Sequence, residues 1–398
     1  MTAPSRHHGC SRRAFCGAAA SFAAIATCRA RAGAGAVPLL RRGVCIDRQF
    51  RSVPPEPYMR FGRDDIRLLK GLGFDFVKVL LNPEPLLSGA SFDPVRVWYV
   101  DQLVDSVAVE RLPAVVCVHP EPAFKTRALS DPDAFGRFEG FLAGLARRLA
   151  QRWSPREVAL QLMTEPYGGS ERREDWNHWD RLQHRLWRAV RAAMPQHTLI
   201  LSGDRAGSVD GLASITPVPD AQALYSFTFY EPAVFTQQGG TWIPDDMPYL
   251  TPLPYPSGPE TLACLHRLQS GAPTEWRDSI RRRVELYASE RWDRRRLERR
   301  IGQAVEWSQR HGGARLWCAE FGCYQAAPCE DRLRWLREVR EAFEKNGIGW
   351  AYWSYNETFT LMAEPRVPFG PASAQTPDAQ VVAALLPDAR GSQGAVRR

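Results

Sequence analysis

The chain has 398 residues, of which 44% are hydrophobic and 24% are charged, as is usual for one large globular domain or two ordinary ones. The net charge is +8, but residues 1–36 contain five arginines and no acidic residue, so the rest of the chain has a net charge of +3. Within residues 281–300, Arg alternates with Glu and Asp, which is typical of a solvent-exposed helix with internal ion pairs. This composition, without an RNA-binding or helix-turn-helix motif, gives no support to nucleic-acid binding.

The first 36 residues have the layout of an export signal. In residues 11–36, SRRAFCGAAASFAAIATCRARAGAGA, a paired arginine precedes a short run of small apolar residues. Such a run is too short to span a bilayer, and the Ser-Arg-Arg-x-Phe order resembles the twin-arginine type of signal. We therefore expect cleavage after Ala36 and a periplasmic or secreted bacterial protein without a stable membrane span. Lipoprotein processing at Cys28 and an uncleaved anchor are the alternatives.

From residue 37 onward, short apolar runs alternate with longer amphipathic segments. Residues 231–272 show no clear periodic element and are predicted to form a long functional loop. The predicted strands cover 43–46, 75–81, 113–119, 157–163, 198–203, 223–230, 314–320 and 349–355. The predicted helices cover 64–73, 95–110, 133–153, 176–194, 208–214, part of 275–311, 331–347 and 376–386.

Eight strands with intervening helices predict an α/β fold, the closed (β/α)8 TIM barrel, as a single domain over residues 37–390 with a flexible tail at 391–398. A doubly wound open sheet is the main competitor. Residues 44–52, VCIDRQFRS, lack the glycine-rich phosphate turn that such a sheet usually carries after its first strand. Six cysteines follow residue 36, and an oxidising compartment would permit disulfides whose connectivity the spacing leaves open.

Two lone glutamates end predicted barrel strands, Glu165 after strand four and Glu320 in strand seven. Catalytic residues of a barrel lie at the C-terminal ends of its strands, so both carboxylates are expected at the same mouth. Glycoside hydrolysis with retention needs two carboxyl groups about 5–5.5 Å apart, one protonated to donate and one ionised to attack. The pair therefore predicts a glycosidase, although either glutamate alone is more often a loop residue or a helix cap.

The motifs along residues 40–360 resemble glycoside hydrolase family 5, the cellulase-type retaining β-glycosidases. TEP (164–166) is similar to the Asn-Glu-Pro of that family, which implies that Glu165 is the acid/base. AEFGCY (319–324) is similar to its Glu-Phe-Gly, which implies that Glu320 is the nucleophile. The resemblance further implies supporting roles for the strand-three histidine, the tyrosine that orients the nucleophile and the sugar platform of strand eight: His119, Tyr230 and Trp353. Taken singly, each of these three could instead be a packing residue.

Three positions depart from the family pattern. Thr164 stands where the family has asparagine, Thr228 where it has the strand-six histidine, and Lys78 where it has the strand-two arginine. Lysine keeps the charge of arginine but loses its planar fork, and threonine is shorter than asparagine. In the long loop after strand six, Trp242 is predicted to line the cleft, where its flat face suits a sugar ring.

The sequence therefore predicts an exported retaining glycoside hydrolase that cleaves a β-linked glucan, mannan or related exopolysaccharide by double displacement. Its partner is a polysaccharide or oligosaccharide, and the chemistry requires no metal or organic cofactor. The departures leave a second hypothesis, a catalytically impaired glycan-binding protein of the same fold that acts in exopolysaccharide assembly or export. A metal-dependent hydrolase would need a ligand cluster at the strand ends, which His119 alone does not provide. The sugar, the linkage and the oligomeric state stay open.

Overall fold

The computed structural model describes residues 40–50, 61–88, 91–167, 178–243, 246–356, 359–363 and 376–388. The export segment predicted over residues 1–36, with its expected cleavage site, and the tail predicted over residues 391–398 lie outside these ranges. In the ranges that are described, every helix is too short or too polar to cross a bilayer.

Eight parallel strands close into a barrel, as the sequence predicted. Each strand pairs with the next one along the chain, and the last pairs with the first through Arg42 opposite Trp350 and Gly43 opposite Ala351. Closure in this way directs the C-terminal ends of all eight strands to one face. The strands are β1 Arg42–Phe50, β2 Phe76–Leu81, β3 Ala114–Val118, β4 Val158–Gln161, β5 Leu199–Ser202, β6 Ala223–Phe229, β7 Leu316–Phe321 and β8 Gly349–Tyr352.

Helices connect the strands and surround the barrel. The helices of seven or more residues are α1 Arg63–Leu72, α2 Pro94–Val109, α3 Pro122–Ser130, α4 Pro132–Arg152, α5 His178–Ala193, α9 Arg277–Glu290, α10 Arg294–Arg310, α11 Cys329–Lys345 and α12 Ala379–Leu385. The shorter ones are α6 Val209–Leu212, α7 Ala233–Thr236 and α8 Leu265–Ser270, with 3-10 turns at Glu84–Leu86, Met247–Tyr249, Pro259–Cys264 and Thr274–Trp276. A kinked helical turn, Asp204–Gly207, follows β5. A short hairpin pairs Leu87–Ser88 with Ser91–Phe92.

Local chemistry sets several helix boundaries. The Asp93 side chain accepts hydrogen bonds from the backbone N–H groups of Val95 and Arg96 at the start of α2. Asp131 does the same at the start of α4. Gly73 ends α1 with φ 102°, a left-handed conformation that glycine adopts without steric cost, as expected from its position in the sequence.

The long loop after β6 differs from its prediction. It contains the short helices α7 and α8 and two 3-10 turns, where the sequence showed no periodic element. Its order comes from buried side chains, among them Phe235 and Tyr255. The buried Gln238 amide also joins two parts of the loop, because it accepts from the N–H of Leu253 at 2.6 Å and donates to the carbonyl oxygen of the same residue at 3.1 Å. Contacts of this kind join residues far apart and leave no local periodicity in the sequence.

The strands are buried on both faces. Outward-facing side chains such as Val77 and Val116 pack against the helices. Burial on both sides explains why the strands are continuous apolar runs rather than alternating ones. The inward-facing side chains form an inner core of Leu40, Cys45, Phe76, Leu80, Val115, Ala159, Ile200, Leu224, Trp317, Ala319 and Ala351.

About half of the arginines of α9 and α10 form ion pairs, as the alternating charges predicted. Arg281 pairs with Asp278, Arg294 with Glu298, and Arg296 with Glu290. Exposed pairs of this kind contribute little to stability, so these helices depend on their buried faces.

None of the six cysteines that follow residue 36 forms a disulfide. Cys45, Cys117, Cys318 and Cys323 are buried in the apolar core, where they act as small hydrophobic residues.

A close contact at Gly322 can be tested by substitution. A Cβ at Gly322 would lie 2.5 Å from the carbonyl oxygen of Trp353, so backbone would have to move. We expect Gly322→Ala to lower the free energy of unfolding by about 1–3 kcal/mol, measured by chemical denaturation. Gly302→Ala is the matched control, because a Cβ at this site in α10 meets nothing within 4 Å, and it should raise stability by roughly 0.5–1 kcal/mol. A loss of stability of the same size in both variants would contradict the close-contact explanation.

Candidate active site

The candidate residues meet at the C-terminal face of the barrel, where the chemistry of this fold takes place. Hydrogen bonds connect four of them, Lys78, Thr164, Tyr230 and Glu320, around the carboxylate of Glu320. The described positions are Lys78 in β2, His119 after β3, Thr164 and Glu165 after β4, Thr228 in β6 with Tyr230 just beyond it, Glu320 in β7, and Trp353 after β8.

Glu320 lies at the centre of this arrangement, with only 3% of its side chain exposed. Its Oε1 accepts hydrogen bonds from Lys78 Nζ at 2.6 Å and from Thr164 Oγ1 at 3.0 Å. Its Oε2 accepts a longer hydrogen bond from the Tyr230 hydroxyl at 3.4 Å. Lys78 Nζ also donates to the carbonyl oxygen of Ala319 at 3.0 Å, which fixes the ammonium group against β7. The two oxygens therefore differ, since Oε1 has two short bonds and Oε2 has one long bond.

The surroundings favour the ionised form of Glu320. Burial by itself would raise the pKa of Glu320, but the charges of Lys78 and His119, with hydrogen bonds from Lys78 and Thr164, lower that pKa below its ordinary value. Burial by itself would lower the pKa of Lys78, but Cys117 and Glu320 raise it above its ordinary value. Burial also raises the pKa of the Cys117 thiol to about 12, so this thiol is neutral near pH 7 and Glu320 is the anion that Lys78 neutralises.

Glu165 has a left-handed backbone, with φ 47°. This conformation costs roughly 1–2 kcal/mol for a residue with a side chain, so neighbouring groups have to hold it. The ammonium group of Lys125 donates to the Glu165 carbonyl oxygen at 2.8 Å. On the other side, the carbonyl oxygen of Pro166 accepts from the N–H of Ala206 at 2.9 Å. A Cβ at Gly207 would lie only 3.8 Å from Glu165 Cα, which shows how closely the turn after β5 approaches.

Glu165 has the opposite protonation preference from Glu320. Its side chain is partly buried at the mouth. Desolvation and the negative charge of Glu320 raise the pKa of Glu165 to about 7, although Lys125 and Lys78 oppose the shift. Two carboxyl groups in one site, one ionised and one partly protonated near neutral pH, are the arrangement that an acid/base and a nucleophile require.

Tyr230 is suited to donate its proton rather than lose it. Burial, together with the charges of Glu320 and Glu165, raises the pKa of Tyr230 well above its ordinary value. Thr228, by contrast, uses its hydroxyl to donate to the carbonyl oxygen of Ala206 at 3.1 Å. This threonine therefore holds the turn that packs on Glu165, a different role from the direct supporting contact that the sequence suggested.

Aromatic rings form one wall of the mouth. Trp242, 46% exposed, has its ring centroid 4.8 Å from that of Tyr324 and 5.7 Å from that of Phe359. The Phe359 ring in turn lies 5.8 Å from Tyr230, which links this wall to Glu320. Trp353 is partly buried and packs against the inner core. Tyr324 and Phe359 were not predicted, although Tyr324 ends the AEFGCY motif and could have been noticed there.

Within the described ranges, no group of three or more His, Cys, Asp and Glu side chains is arranged to hold a metal ion. Lys125 was also missed, because it lies in α3, the one long helix absent from the predicted elements. Its only signal in the sequence is its closeness to His119.

The Lys78–Glu320 pair can be tested through stability alone. We expect Lys78→Met to lower the free energy of unfolding by about 3–5 kcal/mol near neutral pH, because a buried carboxylate is left uncompensated. Glu320, with its pKa lowered in the folded wild type, contributes stability that is lost as the pH falls through that value. In Lys78→Met, burial without the neighbouring cation raises the pKa of Glu320. Glu320 is then protonated at low pH, and the stability of the variant approaches that of the wild type.

The difference between wild type and Lys78→Met should therefore shrink as the pH falls, in urea titrations run at several pH values. The exposed Lys345→Met variant is the control and should stay within about 0.5 kcal/mol of the wild type. A difference at Lys78 that is independent of pH would contradict the ion-pair explanation.

The chain is similar in sequence to known proteins. The family model for cellulase, glycosyl hydrolase family 5, matches residues 57–358. Endoglucanase C of Acetivibrio thermocellus is 24% identical over 315 residues, which cover 76% of this chain and 87% of that protein. Endoglucanase 3 of Fibrobacter succinogenes is 23% identical over 316 residues, which cover 76% of this chain and 47% of that protein.

Solved structures share the fold. The crystal structure of the clostridial cellulose synthase subunit Z from Clostridioides difficile aligns with a TM-score of 0.69 at 18% identity, over 87% of this chain and 99% of that one. Thermotoga maritima Cel5A in complex with cellobiose aligns with a TM-score of 0.67 at 18% identity, over 87% of this chain and 97% of that one. With the family model matching most of its length, the chain belongs to glycosyl hydrolase family 5, the cellulase family, and is a glycoside hydrolase.

Proposed function

We propose that this protein is an exported retaining glycoside hydrolase that cleaves a β-linked glucan, mannan or related exopolysaccharide by double displacement. The observation that carries the proposal is the opposite protonation preference of two glutamates at the same mouth. Lys78, Thr164 and Tyr230 bond to Glu320, whose pKa is lowered despite burial, whereas the pKa of Glu165 is raised to about 7. Glu320 is the nucleophile and Glu165 is the acid/base.

In the first step, a carboxylate oxygen of Glu320 attacks the anomeric carbon and the bond to the leaving oxygen breaks. Oε2 is the better placed of the two oxygens, because its one hydrogen bond, from Tyr230, is the longest at 3.4 Å. Protonated Glu165 gives its proton to the leaving oxygen. In the second step, ionised Glu165 takes a proton from water while the water oxygen attacks the same carbon, and the ester bond to Glu320 breaks.

The substrate class follows from the walls of the mouth. Trp242, Tyr324, Phe359 and Trp353 offer ring faces and edges, and flat apolar surfaces stack on sugar rings without requiring charge. Relatives named endoglucanases support a β-glucan as the first substrate to try. Thr164 bonds to Glu320, so it contributes to holding the nucleophile ionised even though it is shorter than the family's asparagine.

A trapping experiment tests the mechanism. An activated 2-deoxy-2-fluoro-β-cellobioside should label Glu320 covalently, and peptide mass spectrometry should locate the label. The fluorine slows both steps, and the good leaving group keeps the first step fast enough for the covalent intermediate to accumulate. Glu320→Gln should lose label and turnover, and Glu165→Gln should lose about 10²- to 10⁴-fold in turnover of a substrate with a poor leaving group. Glu231→Gln is the control. Glu231 lies just after β6 and pairs with Arg300, so this variant should keep the activity of the wild type.

The outcomes separate the hypotheses. Glycan affinity in the wild type without labelling or turnover on a panel of defined β-glucans and β-mannans would favour the catalytically impaired glycan-binding protein. Label on a residue other than Glu320 would contradict the assigned nucleophile.

Export is supported by the sequence of residues 1–36 alone. We expect the full chain, expressed in a bacterium with a twin-arginine pathway, to accumulate outside the cytoplasm with Val37 as its first residue, measured by N-terminal sequencing. Replacing Arg12 and Arg13 together by lysine should keep the precursor in the cytoplasm, whereas Arg29→Lys should be processed normally. A product that begins at Cys28 would indicate lipoprotein processing instead.

A further inference from the structure

Lys125 is a partly buried lysine that the two-glutamate mechanism does not use. It lies in the second turn of α3, where its N–H donates to the carbonyl oxygen of Glu121 at 2.9 Å. Its ammonium group reaches out of this helix and donates to the carbonyl oxygen of Glu165 at 2.8 Å. Burying an ammonium group is costly unless nearby negative or accepting groups compensate, so its position at this site calls for an explanation.

The contact acts on the backbone of the acid/base residue. Glu165 is left-handed at φ 47°, and the proline that follows disfavours the right-handed helical alternative. Lys125 holds the carbonyl group of Glu165, and the turn at Ala206 holds the carbonyl group of Pro166. These two hydrogen bonds fix the peptide on both sides, and the direction of the Glu165 carboxyl group depends on that peptide.

The charge of Lys125 also acts on the carboxyl group of Glu165. The charged groups that influence this carboxyl group come from three elements: Glu320 of β7, Lys125 of α3 and Lys78 of β2. Glu320 disfavours ionisation of Glu165 and the two lysines favour it. Lys78 is bonded to Glu320, which leaves Lys125 as the cation whose hydrogen bond goes to Glu165 itself.

Negatively charged groups lie around Lys125. Burial lowers the pKa of Lys125 below its ordinary value, and the negative charges of Glu165, Glu320 and Glu121 oppose part of that decrease. Two further titratable groups act on Glu320. Tyr230 donates a hydrogen bond to it, and the charge of His119 lowers its pKa.

We propose that Lys125 is a positioning residue for Glu165. It holds the left-handed backbone of Glu165 through the carbonyl oxygen, and its charge assists the proton transfers that Glu165 makes. This inference rests on the proposed function, since it assigns Lys125 a part in the same reaction. In the first step the cation makes Glu165 a readier proton donor. In the second step it favours the carboxylate that accepts a proton from water.

Three substitutions separate the two effects of Lys125. Lys125→Met removes the hydrogen bond and the charge and keeps an apolar side chain of similar length. Lys125→Gln removes the charge and keeps an N–H donor, and Lys125→Arg keeps the charge. Arg127→Gln is the matched control, because Arg127 lies in the same helix, is half exposed and pairs with Glu84 rather than with Glu165. Thermal unfolding of each variant shows whether it is folded under the assay conditions.

The first readout does not depend on activity. A ¹³C NMR titration of the Glu165 carboxyl group should show a higher midpoint in Lys125→Met and Lys125→Gln than in the wild type, with Lys125→Arg and Arg127→Gln close to the wild type. The sign follows because removal of a neighbouring cation raises the pKa of a carboxyl group. An unchanged midpoint in Lys125→Met would overturn the inference.

The second readout is the pH profile of kcat/KM on a β-glucan. Its alkaline limb, set by Glu165, should move to higher pH in Lys125→Met, and kcat should fall by about tenfold or more as the carboxyl group loses its orientation. Lys125→Gln should shift the alkaline limb in the same direction with a smaller loss of kcat. Lys125→Arg should have the alkaline limb and the kcat of the wild type. A decrease in thermal stability alone, with limb and kcat unchanged, would overturn the inference and leave Lys125 a structural residue.

The two proposals fail in different ways. A shifted NMR midpoint in a wild-type protein that hydrolyses no β-glycan would support the influence of Lys125 and contradict the proposed function. Hydrolysis by the wild type with identical midpoints and profiles in all variants would support the proposed function and contradict the role of Lys125.

Discussion

The site depends on one buried ion pair, Lys78 with Glu320. A carboxylate with 3% of its side chain exposed would ordinarily take up a proton, because burial disfavours charge. The ammonium group of Lys78, itself inaccessible to solvent, compensates that charge at 2.6 Å and is fixed in turn by the carbonyl oxygen of Ala319. Desolvation raises the pKa of Glu165 to about 7, and the negative charge of Glu320 adds to that shift, although Lys125 and Lys78 oppose it. Lys78 thus favours the ionised form of Glu320, whereas the protonation of Glu165 depends mainly on its own desolvation.

The departures from the family pattern have different structural consequences. Lys78 and Thr164 both bond to Oε1 of Glu320, so these two substitutions preserve a charged and a neutral donor to the nucleophile. Thr228 has turned its hydroxyl to Ala206 and supports the turn that packs on Glu165. The altered residues therefore still serve the two glutamates, although Thr228 does so through the backbone. This favours a working hydrolase over a barrel that has kept its glutamates by chance.

Glu165 is held by backbone contacts from two connections of the barrel. Lys125 comes from the helix after β3, and Ala206 and Gly207 come from the turn after β5. Short connections of this kind are where a barrel can change its chemistry while the strands stay the same. Here they maintain a backbone conformation that would be unfavourable in isolation, and such local strain is common where a side chain must be aimed at a substrate.

The sequence by itself determined the barrel, because eight apolar runs separated by amphipathic segments have a period and a spacing that are local properties. It also determined the two glutamates, since a residue that ends a barrel strand reaches the mouth wherever its strand lies in the ring. Only the tertiary structure decided what holds them. The bonds from Lys78 and Thr164 to Glu320 span 242 and 156 residues, the carbonyl contact of Lys125 comes from a helix without a clear periodic signal, and the ring contacts of Phe359 come from beyond the last strand. Such pairings depend on strand order and on side-chain direction, and no local pattern in the chain encodes either of them.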